Sequence, residues 1–205
     1  NQPAEARDYV AAIMDNGPLH YPARDLGMLK DPYLEAFIGA KSVEAHERGV
    51  ELRIGPDTLI RGHITDPQDV TAVLGNLVDN AIRAAVSGKS AGRWVEVELL
   101  DEHNGDGGTL HLVVADSGDG LPRSAGTDVR ERIFARGFST ATAEAATQDQ
   151  VTGHGVGLAL VRHLARRRGG DVWVSDDGSP GTHGAVLCAR LPGVVSLGTN
   201  DEEKP

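Results

Sequence analysis

The sequence predicts an α+β fold, a two-layer sandwich in which helices cover one face of a mixed β-sheet. From Val50 onward, short stretches rich in β-branched residues alternate with stretches of helical periodicity. Their order is strand, strand, helix, strand, strand, helix, strand, strand, which is typical of such a sandwich. The 205 residues, 40% apolar and 24% charged, are enough to form one substantial core.

Six strands are predicted from apolar runs that turn residues separate. Their expected bounds are 50–54, 59–64, 94–100, 110–115, 171–174 and 185–191. Apolar residues at helical spacing predict helices at 3–14, 32–48, 67–87 and 156–168. Asp66 is the expected N-cap of the third helix, with Pro67 in its first turn. We expect a helical segment at 1–48, an α+β domain at 49–193 and a polar tail at 194–205.

Composition disfavours several classes of function. A formal net charge of −10 would repel a phosphate backbone, so nucleic-acid binding is not expected. The basic run Arg166–Arg168 closes a predicted helix, where positive charge is favourable at the end of the helix dipole.

Cysteine content and hydropathy predict the compartment. The single cysteine, Cys188, excludes an internal disulfide and fits a reducing compartment. No apolar run approaches the roughly 18 to 20 residues that a bilayer demands, and the N-terminus lacks the pattern of a signal peptide. We therefore expect a cytoplasmic location without insertion into a membrane.

One chemical motif lies within the predicted helix 67–87. Asn76, Asn80 and Arg83 are four and three residues apart, so their side chains share one face, and Asp79 lies beside Asn80. Asparagine is a poor helix former in a helix interior, so its presence there suggests a role other than helix formation. Taken alone, the pattern fits a solvated helix face as well as a functional one.

A second motif follows the predicted strand 110–115, where Asp116 precedes Gly118 and Gly120. A carboxylate at a strand end can accept a hydrogen bond from an exocyclic amine such as that of adenine. Glycine lets the backbone turn sharply and approach a planar ligand. A tight turn without a ligand would use the same residues.

Two further motifs lie in and after a long loop at 123–153. The first places Phe134 and Phe138 around Arg136. The second, Gly153-His154-Gly155-Val156-Gly157-Leu158, opens a predicted helix, whose N-terminus and exposed N–H groups suit phosphate oxygens. It does not fit a dinucleotide-binding fingerprint, because the spacing is Gly-x-Gly-x-Gly and no strand immediately precedes it. Gly88-Lys89-Ser90 does not complete a Walker-type motif either, because Arg83 stands where that motif has its first glycine.

The order of these four motifs resembles the GHKL superfamily, which includes gyrase, the ninety-kilodalton heat-shock chaperone, mismatch-repair ATPases and histidine kinases. Asn80 precedes Asp116 by 36 residues, and Asp116 precedes Gly153 by 37. The resemblance covers residues 50–192. It implies a GHKL, or Bergerat-type, ATP-binding fold with ATP and Mg²⁺ as ligands.

The resemblance also implies roles for individual residues. Asn80 corresponds to the Mg²⁺-coordinating residue and Arg83 to a phosphate-contacting base, while Asp116 corresponds to the adenine-reading acid beside Gly118 and Gly120. Residues 134–153 correspond to a mobile lid. The residues expected to bind the nucleotide are Asn76, Asn80, Arg83, Asp116, Gly118, Gly120, Phe134, Arg136, Phe138, Gly153, His154, Gly155, Val156, Gly157, Leu158 and Thr182.

One position separates hydrolysis from phosphoryl transfer in this superfamily. ATPase members carry a glutamate one turn before the Mg²⁺ asparagine, where it orients a water, and Asn76 stands there in this sequence. An amide cannot act as a base near neutral pH. Asp79 is close, but it points roughly 100° away around the helix. The string 75–81 resembles that of a histidine kinase, and the expected catalytic residues are Asn76, Asp79, Asn80 and Arg83.

Residues 4–50 resemble the segment that joins the dimerisation helices to the kinase domain in citrate- and dicarboxylate-sensing kinases. The resemblance rests on Ala4-Glu5-Ala6-Arg7, on 31–41 and on 45–50. It implies a cytoplasmic domain of a membrane-anchored bacterial sensor, which works as a homodimer and passes phosphate to a response regulator. The phospho-acceptor histidine is expected outside this chain, on a dimerisation helix of the same protein.

Two other functions remain open on the sequence alone. A clamp or chaperone ATPase of the same superfamily is disfavoured by Asn76 and by the small size of the chain. A nucleotide-binding module without turnover would carry the same binding residues. A zinc site is not expected, because the histidines show no paired spacing and Cys188 stands alone.

Overall fold

The computed structural model describes residues 29–104, 107–122, 129–138, 157–179 and 183–196. Its helices are α1 (Pro32–Glu47), α2 (Pro67–Ser87), α3 (Val129–Arg132) and α4 (Gly157–Arg167). Its strands are β1 (Glu51–Ile54), β2 (His63–Ile64), β3 (Trp94–Asn104), β4 (Gly107–Asp116), β5 (Asp171–Asp176) and β6 (Val186–Ser196).

The six strands form one mixed sheet. The strands β1, β3, β4 and β6 lie side by side in that order, and β2 and β5 both pair with β6. The pairing of β1 with β3 is parallel and the other pairings are antiparallel. Along β4, the buried residues Leu110, Leu112 and Val114 alternate with half-buried ones, so one face of the sheet meets the helices. The predicted α+β sandwich is confirmed.

The long helix α2 has the predicted bounds, and its sequence accounts for both ends. The Asp66 carboxylate accepts a hydrogen bond from the Asp69 backbone N–H at 3.2 Å, and Pro67 occupies the first turn. The helix ends at Gly88. Its buried residues recur every three or four positions and form the stripe that packs on the sheet: Val70, Val73, Leu74, Leu77, Val78, Ala81, Ile82 and Ala85.

Helix α1 belongs to the same core as the sheet. The Asp31 carboxylate caps it, accepting from the Leu34 N–H at 3.0 Å, and its second oxygen accepts from the Ile64 N–H at 2.9 Å. Leu34 and Ile38 are buried in the common core. The predicted division after residue 48 therefore does not coincide with a break in packing. The helix predicted at 3–14 lies outside the described residues.

The structure shortens one predicted strand and lengthens another. Of the strand predicted at 59–64, only His63–Ile64 forms a ladder, because the buried Asp101 carboxylate accepts the N–H groups of Arg61 and Gly62 at 2.6 and 2.7 Å. Strand β6 continues to Ser196, with Val194 and Val195 buried. Residues 194–196, predicted to begin a polar tail, are therefore part of the sheet.

The basic run at the end of α4 is engaged within the domain. Arg166 pairs with Asp171 at 3.0 Å, and Arg168 hydrogen-bonds to Asp66 and Asp69 at the start of α2. These contacts tie α4 to α2 and β5, beyond the dipole effect that the sequence predicted. None of the helices in the described ranges is long and apolar enough to cross a membrane.

Candidate functional site

The polar face of α2 places Asn80 and Arg83 together. The Arg83 guanidinium donates to the Asn80 side-chain oxygen and, at 3.3 Å, to the backbone carbonyl of Asp79. The Asn80 Nδ2 atom is buried and has no hydrogen-bond partner in the described part of the chain. Buried polar atoms are rarely left unpaired in folded proteins, so this amide points to a missing partner.

Asn76 brings α2 against the start of α4. Its Nδ2 donates to the Ala72 carbonyl at 2.6 Å. A Cβ atom on Gly157 would lie 2.6 Å from the Asn76 Oδ1 atom, closer than real Cβ contacts allow. Glycine at the first residue of α4 therefore permits the helix to begin beside this polar face, so part of the glycine motif meets the asparagine motif.

Asp79 is directed to a different neighbour. Its carboxylate accepts a hydrogen bond from the Lys41 ammonium of α1 at 2.6 Å. Asp79 is thus the one predicted catalytic residue whose side chain forms an ion pair with another helix.

Asp116 ends β4 as a buried carboxylate, with 2% of its surface exposed. Its Oδ1 atom accepts a hydrogen bond from the Gly118 N–H at 2.7 Å, and its backbone carbonyl accepts from the Gly184 N–H at 2.6 Å. Burial raises the pKa of Asp116 to about 6, although backbone hydrogen bonds and the charge of His183 oppose the rise. The carboxylate is therefore mostly ionised at neutral pH.

Glycine backbone surrounds this carboxylate. A Cβ atom on Gly184 would lie 1.8 Å from the Asp116 Oδ1 atom, and one on Gly118 would lie 2.8 Å from the same atom. Gly120 has a φ of 77°, and a Cβ there would be 2.4 Å from the Asp177 carbonyl. Only glycine fits at these positions, because a side chain would collide with Asp116 or with neighbouring backbone.

Two members of this glycine cluster were not predicted from the sequence. Gly178, with a φ of 85°, and Gly184 approach each other closely, since a Cβ on Gly178 would lie 2.6 Å from the Gly184 carbonyl. The glycine-rich stretch before β6 was the available signal, but Thr182 was the only residue of that stretch predicted to bind the nucleotide. Thr182 itself lies outside the described residues, as do Gly153, His154, Gly155 and Val156.

The aromatic motif forms a packed anchor. Phe134 is buried, and the Arg162 guanidinium lies 4.5 Å from its ring centroid. The same guanidinium hydrogen-bonds to Glu131 at 2.6 Å and to Asp171 at 2.9 Å, so α3 is fixed to α4 and β5. The half-buried ring of Phe138 lies 5.8 Å from the Arg132 guanidinium.

The remaining two predicted residues differ in exposure. Arg136 is exposed, while Leu158 is half-buried against the core in the first turn of α4. Arg136 is therefore the cation of the aromatic motif that a ligand could reach. Leu158 serves the packing of α4.

The described residues contain no group of three or more histidine, cysteine, aspartate or glutamate side chains that could hold a metal. The predicted Mg²⁺ contact therefore depends on Asn80, whose amide oxygen is a suitable hard ligand. Mg²⁺ commonly binds through one or two protein oxygens together with substrate phosphates and waters. The Asn80 Nδ2, which has no hydrogen-bond partner among the described residues, and the adjacent Arg83 are donors that suit the oxygens of such phosphates.

The raised pKa of Asp116 predicts pH-dependent stability. The unfolded carboxyl ionises near its ordinary pKa of 3.8 and the folded one at about 6, so its contribution to stability is fully present below 3.8 and is lost as the pH rises through 6. Relative to Asp116→Asn, the parent is expected to lose about 2 kcal/mol of unfolding free energy between pH 4.5 and 7.5. Urea unfolding at both pH values measures this, and equal differences at both would contradict it.

Comparison with known proteins supplies the family. Residues 65–194 match the model of the family described as histidine kinase-, DNA gyrase B-, and HSP90-like ATPase. The chain is 30% identical over 163 residues to the sensor histidine kinase DpiB of Escherichia coli, covering 78% of this chain and 27% of that protein. It is 28% identical over 162 residues to the "Probable C4-dicarboxylate sensor kinase" of Halalkalibacterium halodurans, covering 78% and 27%.

A solved structure shows the same fold. Full-length ShkA, crystallised in complex with AMPPNP, superposes with a TM-score of 0.55 at 25% identity, covering 80% of this chain and 30% of that one. The chain spans about a quarter of the length of the curated relatives named above. The resemblance inferred from the four motifs is confirmed. The two curated relatives named above are sensor kinases. The chain belongs to the histidine kinase-, DNA gyrase B- and HSP90-like ATPase family.

Proposed function

We propose that this domain binds ATP with Mg²⁺ and transfers the γ-phosphoryl group to a histidine on a dimerisation helix of its own protein. The observation that carries the proposal is the buried Asn80 amide, which has no hydrogen-bond partner among the described residues. It lies beside Arg83, on a helix face that meets the start of α4. A polar atom without a partner, an adjacent cation and a helix N-terminus together suit a chain of phosphates.

Asp116 binds the adenine ring in this proposal. Its ionised carboxylate accepts a hydrogen bond from the exocyclic amine, while the glycine backbone at Gly118 and Gly184 allows the flat ring to approach. A carboxylate already held by the Gly118 N–H does not have to be ordered when the ring arrives. The site is therefore preorganised for a ligand that donates from a planar edge.

Asn80 and Arg83 bind the phosphates. The Asn80 oxygen would hold Mg²⁺, which would neutralise the charge that develops on the phosphates during transfer. Arg83 is exposed and reaches the Asn80 oxygen, so it lies beside the same phosphates. The domain contributes position and charge, and the acceptor histidine is the nucleophile. Its ring nitrogen forms the new bond to phosphorus as the bond to the ADP oxygen breaks, and ADP leaves.

Transfer is favoured over hydrolysis because neither group near Asn80 is placed to activate a water. Asn76 carries an amide, which donates to the Ala72 carbonyl and cannot take up a proton near neutral pH. Asp79 is a carboxylate, but the Lys41 ammonium engages it from another helix. These contacts favour the kinase over a clamp or chaperone ATPase.

The partners follow from the same proposal. The domain acts on its own dimerisation domain in a homodimer, and a response regulator receives the phosphate. A cytoplasmic domain of a membrane-anchored sensor is proposed from the resemblance of residues 4–50 to citrate- and dicarboxylate-sensing kinases. No role in nucleic-acid binding is proposed, since the net charge is −10 and Arg166 and Arg168 pair with carboxylates inside the domain.

Phosphoryl transfer can be tested by mixing the chain with γ-labelled ATP·Mg²⁺ and a separate fragment that carries the dimerisation helices of the full-length protein. We expect acid-labile phosphohistidine on the fragment, formed slowly because the two parts are not tethered. Asn80→Ala should reduce the transfer rate by about a hundredfold or more. Little free phosphate should appear when the fragment is left out.

Two outcomes would identify the competing functions. Steady phosphate release without the fragment would favour a clamp-type ATPase. Tight ATP binding with neither transfer nor release would favour a nucleotide-binding module. Robust labelling of one of the chain's own eight histidines would show that the acceptor lies within it.

A further inference from the structure

Helices α1 and α2 contact each other through residue pairs that are each 38 positions apart in the sequence. The Tyr33 hydroxyl hydrogen-bonds to the Thr71 hydroxyl at 3.3 Å, and the Lys41 ammonium bonds to Asp79 at 2.6 Å. Midway between them, the Phe37 ring lies 3.3 Å from the position that a Cβ on Gly75 would take. Each step is four residues on both helices, so the helices run parallel. The ladder ends one turn before Arg83.

Lys41 is a firmly held cation at the end of this ladder. Its side chain is 17% exposed and hydrogen-bonds to Glu44 at 2.8 Å as well as to Asp79. Burial lowers the pKa of Lys41, but the hydrogen bonds and charges of Asp79 and Glu44 outweigh it and raise the pKa above its ordinary value. The ammonium is therefore charged at every pH at which the protein is expected to work.

Asp79 has a second cation within reach along its own helix. Arg83 lies four residues further on, and an acid four residues before a base is a favourable helical pair. In the structure, the guanidinium instead donates to the Asn80 oxygen and to the Asp79 backbone carbonyl. Lys41 bonds to the Oδ1 atom of the Asp79 carboxylate, the group that is the helical partner for Arg83.

We propose that Lys41 is a positioning residue for the nucleotide phosphates, because its ion pair with Asp79 leaves Arg83 directed at Asn80. This role rests on the proposed function of Asn80 and Arg83. It also connects α1 to the phosphate site, since a displacement of α1 by one helical turn would separate Lys41 from Asp79 and release the carboxylate to Arg83. The position of α1 along α2 thus decides whether Arg83 is available to the phosphates.

The variant Lys41→Met removes the charge and keeps the length of the side chain. We expect it to raise the Kd for ATP·Mg²⁺ about five- to tenfold, because Asp79 then competes with the phosphates for Arg83. The Kd for adenosine, which has no phosphates, should not change. Calorimetry for ATP·Mg²⁺ and an NMR titration for adenosine provide these values. The variant Lys41→Gln repeats the measurement if Lys41→Met unfolds.

The double variant Lys41→Met, Asp79→Asn separates positioning from simple docking of α1. Asparagine cannot draw Arg83 as a carboxylate does, so ATP·Mg²⁺ affinity should return close to that of the parent. If the pair only holds the two helices together, the double variant will bind as weakly as the single one, which overturns the proposal. The matched control, Glu44→Gln, removes the other partner of Lys41 and should bind like the parent.

ATP·Mg²⁺ binding by the parent chain shows whether a failure concerns the role of Lys41 or the proposed function itself. If it binds ATP·Mg²⁺ and Lys41→Met binds equally well, the role of Lys41 is wrong and the proposed function stands. If the parent does not bind ATP·Mg²⁺ at all, the proposed function is wrong, and the role of Lys41 with it.

Discussion

Asn80→Ala is expected to weaken ATP·Mg²⁺ binding about ten- to a hundredfold while leaving Mg²⁺-free ADP almost unchanged. Asp116→Ala is expected to weaken both ligands by a similar factor. The difference arises because Asn80 binds the nucleotide through the metal, whereas Asp116 accepts a hydrogen bond from the adenine amine that both ligands share. Charge-assisted hydrogen bonds of this kind are worth about 1.5 to 3 kcal/mol. Calorimetric titration of each variant with both ligands measures the effects.

Gln68 provides the control for Asn80, because it is an exposed amide at the start of the same helix. Gln68→Ala should bind both ligands like the parent. If Asn80→Ala and Asp116→Ala also bind both ligands like the parent, the assignment of the nucleotide to this face of α2 and this end of β4 is wrong. A loss of ADP binding in Asn80→Ala would show that Asn80 contacts the nucleotide directly and not only through the metal.

Local patterns were sufficient to predict most of the fold. The bounds of α2 were correct, because an N-cap, a proline, a buried stripe and a terminal glycine all lie within one stretch. The strand predicted at 59–64 is interrupted, because the N–H groups of Arg61 and Gly62 bond to the carboxylate of Asp101, about 40 residues later. Leu59 and Ile60 form only isolated bridges. The last strand was ended too early, because burial of Val194 and Val195 depends on the pairing of β6 with β2.

In the candidate site, too, residues that are adjacent in the sequence were predicted, and residues that only the fold brings together were not. Asp116, Gly118 and Gly120 were found together because they are adjacent in sequence. Gly184 was missed because its importance arises only when β6 is brought beside β4. Lys41 could not be linked to Asp79 from the sequence either, since the pairing depends on how α1 packs along α2.

Gly184→Ala is expected to abolish tight nucleotide binding without unfolding the domain. The new Cβ would lie 1.8 Å from the Asp116 Oδ1 atom and 2.7 Å from the Gly118 nitrogen, so the carboxylate must move away from its present position. Binding of ATP·Mg²⁺ and of ADP should both fall by about a hundredfold, since the adenine amine loses its acceptor and the approach of the ring is blocked. Overpacking of this kind costs about 1 to 3 kcal/mol of unfolding free energy, which urea unfolding can measure.

Gly92→Ala is the matched control, because a Cβ at Gly92 meets nothing within 4 Å. It should keep the affinity and the stability of the parent. The same urea curves give the folded fraction of Gly184→Ala without urea. If that fraction equals that of the parent, weakened binding is not caused by unfolding. Parent-like ATP and ADP affinity in folded Gly184→Ala would mean that the Asp116 carboxylate can be displaced without loss. The adenine-binding role of Asp116 would then be excluded, whatever the outcome for Asn80.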